Sequence, residues 1–216
     1  MSPIALSLVV ASAATVAAAM VAIPLAHGLA RAEFRGKSAI ETLLTLPLVL
    51  PPTVVGYTIV VLLGARGVAG RWLHAAFDYS ILFRIEGAVL AAAVVSFPLL
   101  YLPAKAAFRA VDRELLETAA LRGAARWQAR GPVSLPIARH GIASGAALCF
   151  ARALGEFGAT VMVFGWQPGR VTMPIAVYSA YEQGRLMEAF PIVATLTVLC
   201  FGLLVVINRT AFERRA

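Results

Sequence analysis

The sequence predicts an all-α integral membrane protein, and two observations support this prediction. First, 60% of the 216 residues are hydrophobic and only 14% are charged, whereas soluble domains have roughly a quarter charged residues. Second, the chain contains several apolar runs of about 20 residues, the length that a helix needs to cross the hydrocarbon core of a bilayer. We therefore expect one transmembrane domain over residues 1–216, in contact with membrane lipid.

Five runs are long enough to cross, and they predict five transmembrane helices: 4–29, 40–63, 87–107, 142–164 and 189–207. The first run is not interpreted as a cleaved signal peptide, because no basic residue precedes it and its apolar region is too long. A sixth apolar stretch, 173–181, is too short to cross, and it predicts a short re-entrant helix on the external side.

The distribution of basic residues predicts how the chain is oriented. If the five spans alternate, thirteen of the 19 Lys and Arg residues fall on one side, within the segments 31–37, 105–139 and 209–215. Loops rich in Lys and Arg remain in the cytoplasm. This pattern predicts a multi-pass protein of the bacterial cytoplasmic membrane with its N-terminus outside and its C-terminus inside. The basic residues are not interleaved with exposed aromatics, so the net charge of +8 is attributed to orientation rather than to nucleic-acid binding.

The cytoplasmic segment 112–136 has an unusual surface. A helix is expected from Asp112, which can cap it, to Trp127, with Gly131-Pro132 ending it. Part of the helix surface has only small side chains, which would let another surface approach its backbone closely: Ala119, Ala120, Gly123 and Ala124. Two interpretations stay open, since composition does not choose between them. The helix docks against another protein, or its arginines hold it on the lipid surface.

The same segment resembles the "EAA" loop of binding-protein-dependent ABC importer permeases. That loop has Glu-Ala-Ala, three residues, Gly, nine residues, Ile, one residue and Leu-Pro. The matching residues are Glu117, Ala119, Gly123, Leu135 and Pro136. The chain departs from the pattern at Thr118, where Ala is usual, and at Val133, where Ile is usual. The resemblance implies that Glu117 and its small neighbours form a coupling helix that docks into an ATPase subunit.

Further segments resemble the molybdate branch of that family. They are "FRGK" (34–37), "LPLVLPPTVVGY" (46–57), "AVLAAAVVSFPL" (88–99), "FARALGEFGATV" (150–161) and "PGRVTMPIAVY" (168–178). Trp166-Gln167 departs from the usual Asn-Ile. The resemblance implies a type I importer fold, a homodimer with its pore on the two-fold axis, two ATP-binding cassette subunits and an external (periplasmic) oxyanion-binding protein. Sulfate, thiosulfate and tungstate remain alternative substrates.

Two features of the spans suggest a translocation path. Arg152 and Glu156 are four residues apart within the fourth span and can pair on a helix. Either they brace the helix bundle as an ion pair, or Arg152 gives a passing oxyanion a weak contact while Glu156 partly neutralises it. In the second span, Pro51 and Pro52 before Thr53 prevent a regular helix. We expect an ordinary proline kink there, with exposed gate backbone as the alternative.

The sequence gives little support to other functions. Gly36-Lys37-Ser38 ends like a phosphate-binding loop, but the required earlier glycine is replaced by Arg31, so we expect ATP and Mg²⁺ to be bound by a partner subunit. The histidines lack metal-ligand spacing, and an integral membrane enzyme would have only Arg152 and Glu156 for its chemistry. A membrane scaffold would not need the coupling loop. Gly141 and Gly145 predict close helix packing.

Overall fold

The computed structural model describes residues 1–112 and 126–212, which form nine helices. In chain order they are α1 (Pro3–Ala30), α2 (Lys37–Val49), α3 (Pro52–Leu63), α4 (Val68–Phe77), α5 (Ile85–Arg109), α6 (Arg126–Leu154), α7 (Gly158–Phe164), α8 (Met173–Glu182) and α9 (Leu186–Phe212). The predicted coupling residues Glu117, Ala119, Ala120, Gly123 and Ala124 lie outside the described residues.

The described helices confirm the positions of the predicted spans. Helices α1, α5 and α9 are each long and apolar enough to cross a membrane unbroken. The predicted spans 40–63 and 142–164 are instead bent pairs of helices, α2–α3 with a bend of 115° and α6–α7 with a bend of 62°. Counting each bent pair as one span, the described part of the chain supplies up to five crossings.

The expectation of an ordinary kink at the prolines of span two was wrong, because the helix is broken there. Leu50 (ψ 142°) and Pro51 (ψ 133°) both have extended backbone. A proline disfavours helical conformation in the residue before it. Pro51 therefore acts on Leu50, and Pro52 acts on Pro51, so that two successive residues leave the helix. Pro52 then suits the first turn of α3, where its missing N–H costs nothing.

Contacts at both ends of α5 show that the bent pair α2–α3 still runs the length of the bundle. At the C-terminal end of α5, Lys105 Nζ lies 2.7 Å from a Glu41 carboxylate oxygen of α2. Gly64, which follows α3, lies instead beside Leu82, just before α5 begins. Because 20 residues of α5 separate its first residue, Ile85, from Lys105, these contacts are about 30 Å apart along its axis.

The core forms around α5, whose buried face is lined by small residues. Ala88, Ala91, Ala92 and Ala104 are fully buried, which lets α1 and α6 approach closely. A Cβ atom added at Gly145 of α6 would lie 3.0 Å from the Leu100 carbonyl oxygen of α5. Gly141 packs against Ala107 in the same way. The close helix packing predicted for Gly141 and Gly145 is confirmed, and it occurs within one chain.

Two local features differ from the sequence-based expectations. The helix was predicted to end at Gly131-Pro132, but α6 continues through this pair to Leu154. A proline removes one donor from a helix, and membrane helices tolerate this loss where neighbouring groups satisfy the freed carbonyl. The short helix α4 was not predicted at all. The predicted helix at 173–181 is confirmed as α8, and its depth relative to the membrane stays a prediction.

Candidate functional site at the two helix breaks

The breaks in the two bent spans lie side by side. A Cβ atom added at Gly158, the first residue of α7, would lie 3.1 Å from Pro52 Cβ and 3.2 Å from Thr53 N. One turn further along α3, a Cβ atom added at Gly56 would lie 2.8 Å from Ala159 Cα of α7. Helices α3 and α7 therefore start together with almost no space between them. The structure brings Pro52 and Thr53 close to the segment that contains Glu156.

The segment between α6 and α7 places a carboxylate inside the protein. Glu156 is buried, and its Oε1 accepts a hydrogen bond of 2.8 Å from the backbone N–H of Ala159 in the first turn of α7. Helix N-termini have unsatisfied N–H groups and a partial positive charge, so a carboxylate there is stabilised. The hydrogen bond offsets part of the cost of burying this carboxylate.

Arg152 supplies the opposite charge. Its Nη1 lies 2.6 Å from Glu156 Oε2, at the distance of a close ion pair but without the alignment of a hydrogen bond. The predicted pairing is confirmed, but not on one continuous helix, because α6 ends at Leu154 and Glu156 belongs to the break. Arg152 lies in the last turn of α6, where the helix dipole favours a cation. Each charge therefore lies at the helix end that stabilises it.

The two charges differ sharply in their exposure. The Glu156 side chain is 1% exposed, whereas the Arg152 side chain is 32% exposed. A guanidinium group has five N–H donors in a fixed fork, and among the described residues its ion-pair partner is Glu156. The accessible part of Arg152 can therefore donate to a further anion. The buried carboxylate lowers the net positive charge that such an anion meets.

An aromatic contact joins this site to helix α8. The rings of Phe157, in the break, and Tyr178, on α8, have centroids 5.0 Å apart. At the start of α8 the Met173 N–H donates a 2.7 Å hydrogen bond to Ser7 Oγ of α1. The break is thus tied through α8 to the N-terminal end of α1.

Sequence reasoning missed the residues that bring the breaks together. Gly56, Gly158 and Ala159 lie within the quoted motifs, but they were given no role. A pair of motifs that each place a glycine within a few residues of a helix break is the signal that could have found them. The Phe157–Tyr178 contact joins residues that are distant in the sequence, and no local pattern indicates it.

The end of the bundle at which α5 ends contains a second polar group. Besides Lys105, Lys37 Nζ approaches the Glu41 carboxylate at 3.8 Å, and it also donates to the Ala32 carbonyl at 2.8 Å. The Arg31 side chain donates to the Val111 carbonyl, next to the start of the predicted coupling segment. These contacts fix the position of the chain where it enters that segment.

The long apolar helices define a class of protein, since two of the spans are broken and the breaks meet beside a partly exposed arginine. Soluble folds do not expose apolar helices of this length, and broken helices inside a bundle are typical of membrane transport proteins. The chain is a membrane-spanning transport subunit.

Comparison with known proteins gives the family. Residues 3–216 match the family model described as "Binding-protein-dependent transport system inner membrane component", and the chain belongs to this family. It is therefore a multi-pass inner membrane component of a binding-protein-dependent transport system, as the resemblance implied.

Individual relatives and structures agree with this assignment. The chain is 38% identical over 209 residues to the putative molybdenum transport system permease protein YvgM of Bacillus subtilis, covering 96% of this chain and 92% of that protein. It is 43% identical over 178 residues to the molybdenum transport system permease protein ModB of Escherichia coli, covering 82% and 78%. A bacterial alginate ABC transporter, crystallised with its alginate-bound periplasmic protein, has a similar fold, with a TM-score of 0.69 at 20% identity, covering 96% of this chain and 76% of that chain.

Proposed function

We propose that this chain is the permease subunit of an ABC importer that moves molybdate across the bacterial cytoplasmic membrane. The names of its relatives support this substrate, since the two proteins at 38% and 43% identity are molybdenum transport permeases. Molybdate is a dianion, and the site offers it one partly neutralised cation rather than a deep positive pocket. Such a contact suits a substrate that must bind briefly and then leave.

The proposed assembly is a homodimer with two ATP-binding cassette subunits below it and a periplasmic oxyanion-binding protein above it. One chain supplies up to five crossings, which are too few to enclose a wide path alone. The exposed part of Arg152 then faces a path that a second copy completes. ATP and Mg²⁺ are bound by the cassette subunits, whose closure drives the permease between its two states.

The proposed path rests on one observation: the partly exposed Arg152 is paired with the buried Glu156 at the helix breaks. The test compares Arg152→Ala, Glu156→Gln and the double variant, each purified as an assembled transporter and reconstituted with its binding protein. A bracing pair predicts that each single variant is destabilised and that the double variant recovers part of the loss, because no charge is left alone.

The translocation role adds a second expectation. The double variant should be folded and assembled, yet it should not transport molybdate. Full molybdate uptake by that variant would refute a role for Arg152 in the path and would leave the ion pair as a brace. Competition by tungstate, sulfate and thiosulfate, measured both on uptake and on the isolated binding protein, identifies the substrate. If sulfate binds to the binding protein and is taken up, while molybdate neither binds nor competes with it, the molybdate assignment is refuted.

The proposed orientation places the N-terminus outside and the C-terminus inside. It is supported by the basic groups Arg31, Lys37 and Lys105, which lie at one end of the bundle, because basic ends remain cytoplasmic. A cysteine introduced as Arg126→Cys should react with a membrane-impermeant reagent only from the cytoplasmic side. Arg71→Cys should react only from the external side, and the reverse pattern would refute the orientation.

The coupling role proposed for Glu117 to Ala124 is supported by the sequence resemblance. Gly123→Trp should block ATPase binding by bulk, since overpacking a close interface costs roughly 1–3 kcal/mol. Glu117→Ala should weaken docking less, and Arg126→Gln should have the smallest effect. Each folded variant is purified, and the co-purified ATPase and its hydrolysis rate are measured. A Gly123→Trp permease that retains its ATPase and transports normally would favour the lipid-surface interpretation.

A further inference from the structure

Helix α4 is almost entirely exposed, although it is firmly attached. It follows α3 after a short turn, and Gly67 and Gly70 lie directly against backbone carbonyls of Leu62, Leu63 and Gly64, so that side chains at these glycines would clash. The attachment uses only the glycine side of the helix. The rest of α4 has no neighbour within the described part of the chain that buries it.

The exposed surface of α4 is apolar and aromatic. Val68 is 75% exposed, Trp72 64% and Phe77 66%. Val68 and Trp72 are four residues apart and therefore lie on one face. The Trp72 and Phe77 rings are in edge-to-face contact with centroids 5.8 Å apart, which places Phe77 in the same patch. We call Val68, Trp72 and Phe77 the α4 patch.

The polar residues of α4 lie on a different side. On a helical wheel, Arg71 and His74 lie together in a narrow polar stripe, and Arg71, three residues after Val68, forms the edge of this stripe next to the apolar side. His74 Nδ1 lies 3.2 Å from an Asp78 carboxylate oxygen, and both side chains are exposed. A broad apolar and aromatic side bordered by a narrow basic stripe is the pattern of a helix that lies in the membrane interface.

The position of α4 in the fold agrees with this pattern. Helix α4 directly follows the end of the second span, at the end of the bundle where α5 begins. The preceding turns of α3 also expose Tyr57, Val61 and Leu62. The apolar surface therefore continues from the span into α4. Tryptophan is enriched at the boundary between headgroups and acyl chains, where its ring is buried and its N–H is hydrated.

We propose that α4 is an interfacial helix that inserts Val68, Trp72 and Phe77 into the headgroup–acyl boundary of the phospholipid leaflet at this end of the bundle. The exposed cations Arg71 and Arg66 then face the phosphate layer. The proposal concerns lipid binding and does not depend on the identity of the transported oxyanion.

Depth-dependent fluorescence quenching tests the proposal. The chain has three tryptophans, so Trp127→Phe with Trp166→Phe leaves Trp72 as the only reporter. Trp72→Phe with Trp127→Phe leaves Trp166, which is 57% exposed in the loop after α7 and is the matched control. Each permease is reconstituted in vesicles of phosphatidylcholine brominated near either the top or the end of the acyl chains.

Shallow bromines should reduce Trp72 emission at least roughly twofold, and deep bromines should reduce it less, because interfacial helices insert only about 5–10 Å. Trp166 should be quenched less than Trp72 by the shallow bromines. Trp72 emission that bromines do not quench more than that of Trp166 would overturn the proposal. Shielding of Trp72 only after the binding protein is added would show that the α4 patch is a protein-docking surface instead.

A pair of charge variants provides an independent check. Val68→Glu places a carboxylate in the α4 patch and should weaken shallow quenching of Trp72. His74→Glu places one in the polar stripe, on the side of the helix away from Trp72, and should leave this quenching almost unchanged. If shallow bromines quench Trp72 in both variants as strongly as in the permease with an unaltered α4 patch, the proposal is also overturned.

Discussion

Replacing Gly56 by alanine should loosen the contact between the two half-helices that start at the breaks. The added Cβ atom would lie 2.8 Å from Ala159 Cα, 2.9 Å from Met162 Cβ and 3.0 Å from the Ala159 carbonyl oxygen. Carbon atoms in favourable contact are about 3.5–4.0 Å apart, so the backbones of α3 and α7 must separate by several tenths of an ångström. Overpacking of this kind costs roughly 1–3 kcal/mol.

Alanine also has a higher helix propensity than glycine, by about 1 kcal/mol, and a control must account for this gain. Gly202 of α9 is such a control, because a Cβ atom there would have no atom within 4 Å. Gly202→Ala should therefore be neutral or stabilising. The difference between the two variants should be roughly 1–3 kcal/mol, which is about a 5- to 150-fold change in the unfolding equilibrium constant.

The assay is unfolding of each purified variant in mixed micelles with increasing denaturing detergent, followed by circular dichroism. Molybdate uptake by the reconstituted transporter is measured in parallel. Gly56→Ala should unfold at a lower denaturant fraction than Gly202→Ala and should transport more slowly. If both variants unfold at the same point, the α3–α7 contact is not as close as the structure indicates, and the reasoning from Gly56 fails.

Two further predictions concern contacts elsewhere in the bundle. Glu41→Lys and Lys105→Glu should each lower the unfolding midpoint, because each variant places two like charges at the ion pair. The charge-swapped double variant should recover part of the loss. Additive losses would show that the pair is not coupled. Ser7→Ala removes the acceptor of the Met173 N–H, and leaving this buried donor unsatisfied should cost roughly 1–3 kcal/mol in the same unfolding assay. An unchanged midpoint for Ser7→Ala would show that another acceptor satisfies the donor.

The positions of the spans could be predicted because the hydropathy of a 20-residue run is a local property. The continuity of the spans could not. Pro51 and Pro52 indicate an irregular helix, but a kink and a full break have the same local sequence, and the break that takes Leu50 and Pro51 out of the helix is seen only in the structure. The opposite error occurred at Gly131-Pro132, where breaker residues predicted an end that α6 does not have.

The candidate site was predictable only in part. The spacing of Arg152 and Glu156 indicated a pair, because residues four apart are close on a helix. The pair forms even though Glu156 lies beyond the end of α6. The neighbours of this pair come from another span, and which glycine faces which backbone depends on the packing of α3 against α7. Helix α4 has only ten residues, so a search for transmembrane runs passes over it.

The close contact between α3 and α7 has a mechanical consequence. Because Gly56 and Gly158 leave no room between these half-helices, neither can slide past the other, and a rotation of one must move both. The extended or irregular backbone lies at Leu50–Pro51 and at residues 155–157, so any change in the bend angles is confined to these two hinges. Arg152 lies on one side of the second hinge and Glu156 within it. The distance between the Arg152 and Glu156 side chains should therefore change with the bend angle at that hinge.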